Sequence, residues 1–417
     1  MNKKEYIEDI CLKAKRASRI IALLSTKQRN EILLSIAGKI IEKADYIIGE
    51  NHRDISFAKE NGVTDAFLDR LRLTHNRLDG MAKSIEEIVM LDDPIGKIES
   101  QWVRPSGIRV GQMRSPLGVV AVIFESRPNV TTDIAALTIK SGNASILRGG
   151  RESINSNMAL YSVIREALSD SGYPDDAVTL LSKSDHELVS ILLKMNQYID
   201  IVIPRGGEGL IKMVTQESTI PLIKHDKGVC HTFIDKSAEE EMSINIAVNA
   251  KVQRPGVCNA METLMIHKDF SNKESLINAL IEKDVEIRGC KKTLEIMKDR
   301  IKIASEGDWD AEYLDLILSV KIVDSIDEAI DHISQHGSGH SEAIVTSDYN
   351  MAERFLREVD SSAVFVNAST RFHDGGEFGL GAEVGISTQK LHARGTMGIE
   401  GLTCLKYIIY GSGQVRS

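Results

Sequence analysis

From Val119 to Ile203 the chain alternates apolar runs of strand length with helix-length segments, and that alternation leaves few folds open. Val119 to Phe124 holds no polar residue, Thr131 to Ser141 has helical spacing, and Ala144 to Leu147 is apolar in character again. Strands apolar on both faces must be covered on both faces, which marks parallel strands joined by helical crossovers. The pattern continues through a helix at about 153–170, a strand at Val178 to Leu181, a helix at about 185–195 and a strand at Ile199 to Ile203. Each crossover repeats one right-handed βαβ unit. A second series, over about 228–385, begins with Cys230 to Ile234 and alternates again around Ile322 to Ile333. The prediction is an α/β protein with two parallel-sheet domains.

The flanks read differently. Residues from about 4 to 90 show i, i+3, i+4 apolar spacing, as in Ile32, Leu33, Ile36, Ile40 and Ile41, which predicts a helical layer. Trp102 to Met113 reads as a hairpin arm turned by Arg104-Pro105-Ser106-Gly107. Leu405 to Tyr410 reads as an isolated apolar strand, which needs something to pair with, and a subunit partner is the expected one.

At 417 residues the chain holds two or three folding units and can bury a large core without disulfides. Its five cysteines, Cys11, Cys230, Cys258, Cys290 and Cys404, are odd in number and contain no C-x-x-C pair, so they read as free thiols. A net charge of -9 with no long basic run argues against nucleic acid and anionic membrane as partners. Acidic residues in MNKKEYIEDICLKAKRA and the lack of any 18-residue apolar run argue against a signal or spanning segment, so the expected location is cytoplasmic.

Several residues are candidates for chemistry. Cys258, after Pro255-Gly256-Val257, is followed by a run that reads as helix or strand. As a thiolate, favoured by a helix N-terminus or by Arg254, it would suit acyl transfer; as a thiol it would be one more small buried hydrophobe. Gly206-Gly207-Glu208-Gly209 ends a parallel strand and offers backbone N–H groups to a pyrophosphate, or is a turn made of glycine for steric reasons alone. Arg148-Gly149-Gly150-Arg151 sets two guanidinium forks beside open backbone, as phosphate ligands or as solvated surface. His332, His336 and His340 recur at four-residue spacing, but Gly337-Ser338-Gly339 breaks the helix that would align them, so no metal site is expected. No G-x-G-x-x-G follows a strand, and the G-x-x-x-x-G-K-[ST] and H-E-x-x-H motifs are missing.

Taken together, these segments resemble the aldehyde dehydrogenase superfamily, and within it the branch that reduces gamma-glutamyl phosphate. The likeness rests on VDSIDEAIDHISQHGSGHSEAI (Val323 to Ile344), SPLGVVAVIFESRPNV (Ser115 to Val130), SGNASILRGG (Ser141 to Gly150), NAKVQRPGVCNAMETLMIH from Asn249, and EFGLGAEVGISTQKLHARGTMGIEGLT (Glu377 to Thr403). It covers almost the whole chain. The resemblance implies an aldehyde dehydrogenase-like fold: a dinucleotide domain at 1–225 with a return at about 391–404, a catalytic domain at 226–390, and an oligomerisation arm from 100–115 and 405–417.

By the same resemblance Cys258 is the nucleophile. Arg148 stands where relatives place a lysine on the adenosine ribose, Gly206 and Gly207 match the turn under the pyrophosphate, and Glu312 in AEYLD matches the glutamate that holds the nicotinamide ribose, with Leu314 replacing a phenylalanine. The water-activating glutamate of hydrolytic relatives is missing from Lys224-His225-Asp226-Lys227-Gly228, where His225 is a candidate for orienting substrate. Asn129 and Ser126 are candidate oxyanion donors. Arg254, Arg371 and Arg104 are candidate cations for the substrate's phosphate and α-carboxylate.

The implied reaction is reduction of L-glutamate 5-phosphate to L-glutamate 5-semialdehyde through a thioacyl enzyme, the second step of proline biosynthesis, in a homo-oligomer that contacts glutamate 5-kinase. NADPH is the expected cofactor, from the family's habit and from Arg148 and Arg151 with no acidic residue beside them. Two other readings share the fold: a CoA-acylating or simple aldehyde dehydrogenase, and a non-catalytic binding protein.

Overall fold

A computed structural model of the chain describes residues 2–416 except Ser126, Ser184, His225 and Asp226. Five helices come first: α1 (Lys3–Ile21), α2 (Thr26–Glu42), α3 (Ala44–Glu60), α4 (Asp65–Leu71) and α5 (His75–Met90). Asn2 and Ser25 start α1 and α2 through reciprocal capping boxes with Glu5 and Gln28, which satisfy N–H groups the helix cannot. Ile32, Leu33, Ile36 and Ile40 are buried as their spacing predicts, whereas Ile41 faces solvent.

A hairpin of β1 (Ile98–Val103) and β2 (Arg109–Pro116) follows, closed at its turn by Arg104 N–H to Ile108 O at 2.9 Å and Gly107 N–H to Arg104 O at 2.8 Å. Then the chain alternates: β3 (Val119–Phe124), α6 (Asn129–Lys140), β4 (Ala144–Arg148), α7 (Ile154–Asp170), β5 (Val178–Leu180), α8 (His186–Leu192), β6 (Ile201–Arg205) and α9 (Glu208–Glu217). The four strands form one parallel sheet in the order β5-β4-β3-β6. β3 is buried along its whole length, and helices α1 and α8 contribute Ile7, Cys11, Leu188 and Leu192 to the same core. The last strand runs two residues later than its apolar run suggests and ends in Pro204-Arg205. Proline is tolerated there because β6 is the outer strand of the four.

The second series consists of β7 (Cys230–Ile234), α10 (Glu240–Val252), β8 (Met261–His267), α11 (Lys273–Ile281), β9 (Glu286–Gly289), α12 (Lys291–Met297), β10 (Lys302–Ile303), β11 (Ile317–Val323), α13 (Ile326–His336), β12 (Ser341–Val345), α14 (Tyr349–Glu358) and β13 (Ala363–Val366). Its seven strands form a parallel sheet in the order β10-β9-β11-β8-β7-β12-β13. One face of it is filled by Ile234, Leu264, Ile266, Leu276, Ile277 and Leu318. Two short strands, β14 (Gly385–Ser387) and β15 (Gly395–Met397), pair with each other, and β16 (Thr403–Tyr410) closes the chain.

By contacts the chain forms two compact units: residues 1–224 with 379–385 and 397–417, and residues 225–378 with 386–396. The return to the first unit is thus made in two passes, and 386–396 stay with the second. β16 pairs antiparallel with β2 over its whole length, from Thr403 opposite Pro116 to Tyr410 opposite Arg109. The expectation that the tail strand must find its partner on another subunit is corrected: its hydrogen bonds are taken within its own chain, in a three-stranded sheet β1-β2-β16. Among the described residues no helix is long and apolar enough to cross a membrane.

Candidate active site

In the second unit, Cys258 lies half-buried in the turn between α10 and β8. The ambiguous run after it is a strand, so Cys258 does not open a helix there, and two cations share its surroundings. They are Arg254 and Arg371. Burial and the like charge of Arg254 press the Arg371 guanidinium down, while Asp374, Cys258 and Glu377 support its charge. Arg371 is held in place by Nε donating to Gln253 Oε1 at 2.9 Å and by an Nη1 bond to Asn259 Oδ1. Asn259, the residue after Cys258, also donates to His373 O at 3.0 Å and accepts from Thr370 Oγ1 at 2.7 Å through its carbonyl. The Cys258 turn and the segment around Arg371 are therefore one hydrogen-bonded assembly.

Gly228 packs against that turn. A Cβ there would overlap the Cys258 carbonyl, so only glycine allows the approach. Its amide donates to Glu312 Oε1 at 2.9 Å, and the next amide, Val229, donates to Ser338 Oγ at 3.0 Å in the Gly337-Ser338-Gly339 turn. Below Glu312, Leu314 sits in the left-handed region at φ 55°, and its amide donates to Glu262 Oε1 at 3.3 Å. Glu262 and Lys251, both wholly buried, pair at 2.6 Å. Burial pushes the Glu262 carboxyl up to about 7 and the Lys251 ammonium down. Strain at a non-glycine residue persists where surrounding structure dictates it, and here the bond to Glu262 holds Leu314, two residues after Glu312.

In the first unit, Arg148 is the last residue of β4 and is buried. Burial lowers its pKa, and Glu152 and Glu125 oppose that. This corrects the reading that no acid adjoins the arginine pair: Glu152 follows Arg151 directly, and a second carboxylate, Glu125, reaches Arg148 from the end of β3. Arg151 lays its guanidinium over the Phe57 ring at 5.5 Å. Gly206 and Gly207 form the turn from β6 into α9. A Cβ on Gly206 would overlap the Glu125 carboxylate and approach Leu210 Cδ2 to 2.8 Å, and the Gly207 amide donates to Glu125 Oε2 at 2.8 Å. Asn129 opens α6, and its Nδ2 donates to Asp133 Oδ2 at 2.9 Å. Burial raises the Asp133 carboxyl to about 6 against that bond and the charge of Arg205. Arg104 belongs to the β1–β2 turn. His225 and Ser126 lie outside the described residues.

His332 and His336 share a face of α13, with ring centroids 4.5 Å apart. His332 is buried against His231 and Trp309, and burial holds its pKa far below the usual range. His340 has left the helix and lies beside His373. Among the described residues no group of three or more His, Cys, Asp or Glu is arranged to hold a metal ion.

The structure thus gathers Cys258, Arg254, Arg371 and Glu312 in one unit and Arg148, Gly206 and Gly207 in the other. Sequence reasoning missed Gly228 as the contact between Cys258 and Glu312, Asn259 as the brace of Arg371, and Glu125 at the glycine turn. The only signal for Glu125 was an acid directly after a wholly apolar strand.

Residues 1–291 match the model of the aldehyde dehydrogenase family. A gamma-glutamyl phosphate reductase from Caldanaerobacter subterraneus is 52% identical over 406 residues, covering 97% of this chain and 98% of that protein. Another, from Thermodesulfovibrio yellowstonii, is 49% identical over 418 residues, covering 100% of both. The crystal structure of gamma-glutamyl phosphate reductase from Thermotoga maritima superposes with a TM-score of 0.97 at 42% identity, covering 99% of this chain and 100% of that one. The chain belongs to the gamma-glutamyl phosphate reductase group of the aldehyde dehydrogenase family. Membership of the aldehyde dehydrogenase family brings with it a nicotinamide cofactor and a small-molecule substrate.

Proposed function

We propose that the chain reduces gamma-glutamyl phosphate to glutamate 5-semialdehyde and phosphate, with NADPH as reductant, in the second step of proline biosynthesis. The observation that carries the reading is Cys258 on a turn beside Arg254 and Arg371, with Gly228 joining that turn to Glu312. The Cys258 thiolate attacks the acyl carbon, the two guanidinium groups face the negative charge of substrate and leaving phosphate, and phosphate departs without a proton from the enzyme. The product of this step is a thioester on Cys258. When bound, the dinucleotide supplies the hydride that reduces that thioester. Cys258 then leaves as thiolate and the aldehyde is released. Lys224 to Gly228 holds no glutamate to activate water, which suits an enzyme whose intermediate hydrolysis would waste.

The residues present fit a dinucleotide. The Gly206-Gly207 turn at the start of α9 already holds an anion, the Glu125 carboxylate on the Gly207 amide at 2.8 Å, Arg148 stands at the end of β4 for the adenosine ribose, and, in the second unit, Glu312 is fixed for the nicotinamide ribose. On this reading the first unit is the NADP-binding domain and the second the catalytic one. NADPH over NADH rests on Arg148 and Arg151, offset by Glu152. Asn129 is the proposed oxyanion donor and His225 the proposed substrate-orienting residue.

The enzyme is read as a cytoplasmic homo-oligomer joined through the β1-β2-β16 arm, where Leu405, Tyr407 and Ile409 leave an apolar row exposed on an edge strand. A contact with glutamate 5-kinase, which would deliver the labile acyl phosphate, belongs to the same reading. The test is the reverse reaction: glutamate 5-semialdehyde plus NADP should give NADPH only with inorganic phosphate. Equal rates with CoA or with neither acceptor would move the activity to another branch of the family.

A further inference from the structure

Glu125 grips the turn from β6 to α9 twice. Its own amide donates to Arg205 O at 3.2 Å, and its Oε2 accepts from Gly207 N–H at 2.8 Å. The space that a Cβ on Gly206 would need is filled by the same carboxylate. Gly207 is the cap residue of α9, a helix of 10 residues, and has no side chain with which to satisfy the N–H groups that open it. Those groups and the helix dipole favour an anion, and the anion seated there is Glu125. The side chain is exposed, so it can leave the turn without opening the core.

This bears on the cofactor, and rests on the reading that the Gly206-Gly207 turn holds the pyrophosphate. Two anions then claim one donor. We propose that Glu125 is a built-in competitor of the dinucleotide: it occupies the glycine turn in the free protein, must swing away for the pyrophosphate to bind, and so weakens binding and hastens release. Arg148, which feels the charge of Glu125, would lose that support once the carboxylate moves, and the incoming phosphates would replace it.

The test is equilibrium titration with NADPH, followed by its fluorescence, on the full-length protein and on Glu125→Gln and Glu125→Ala. Glutamine keeps the acceptor and loses the charge; alanine loses both. Both variants should bind NADPH about tenfold more tightly than the unaltered protein, the scale of one partly screened like-charge contact. They should also release it more slowly when chased with excess NADP in stopped flow. If the unaltered protein binds NADPH and Glu125→Ala binds it equally or more weakly, the proposal is overturned while the cofactor reading stands. If none of the three binds NADPH, both fall.

Discussion

Glu312 accepts the Gly228 amide hydrogen at 2.9 Å, and the side of Gly228 where a Cβ would stand lies against the carbonyl of Cys258. One glycine therefore spaces the Cys258 turn from the carboxylate read as the ribose holder. Gly228→Ala must push the Cys258 turn or break the Glu312 bond. It should lower kcat/KM by at least about tenfold and cost about 1–3 kcal/mol of stability, the usual range for overpacking. Steady-state kinetics and urea denaturation measure the two; a variant with unaltered kinetics would show that the contact does not position the site.

Arg371 is braced by Gln253 and Asn259 and lies within electrostatic reach of Cys258. Removing its fork should act on substrate binding. Arg371→Ala should raise KM for the acyl phosphate by about 10–100-fold, the worth of a charge-assisted pair. Arg371→Lys should recover only part of this, since an ammonium cannot bridge Gln253 and Asn259 together. An unchanged KM in the alanine variant would remove Arg371 from the substrate site.

His373 is buried, with Nδ1 at 2.8 Å from Ser341 Oγ, and burial lowers its pKa to about 4. The folded value is depressed below the unfolded one of about 6.5, so its contribution is present above pH 6.5 and is lost as pH falls toward 4. Over that window the unfolded chain takes up a proton that the folded chain refuses, worth up to about 3 kcal/mol. The melting temperature should fall more steeply between pH 6.5 and 4 than that of His373→Gln. Parallel curves would show that His373 does not titrate this way.

Much of the fold was legible because β3 and β7 are buried on both faces and read as strands from their residues. The pairing of β16 was not, since its partner β2 lies more than half the chain away and nothing in Leu405 to Tyr410 names it. The run after Cys258 stayed ambiguous because Met-Glu-Thr-Leu-Met-Ile is apolar without a clear period; burial on both faces in the sheet decided for strand. Glu312 was found through resemblance alone: a single exposed-looking glutamate carries no periodic signal, and the buried Lys251–Glu262 pair that supports its loop comes from two elements distant from it. Glu125 was missed, because the glycine turn it fills arrives only after three more crossovers.

The central claim is a covalent bond between Cys258 and the acyl group. It is tested most directly by mixing the enzyme with gamma-glutamyl phosphate in the absence of reduced cofactor, quenching in acid and mapping peptides by mass spectrometry. The account predicts a glutamyl adduct on the peptide containing Cys258, absent in Cys258→Ala and discharged to semialdehyde when NADPH is added before the quench. An adduct on another residue, or turnover in Cys258→Ala at the unaltered rate, would contradict it.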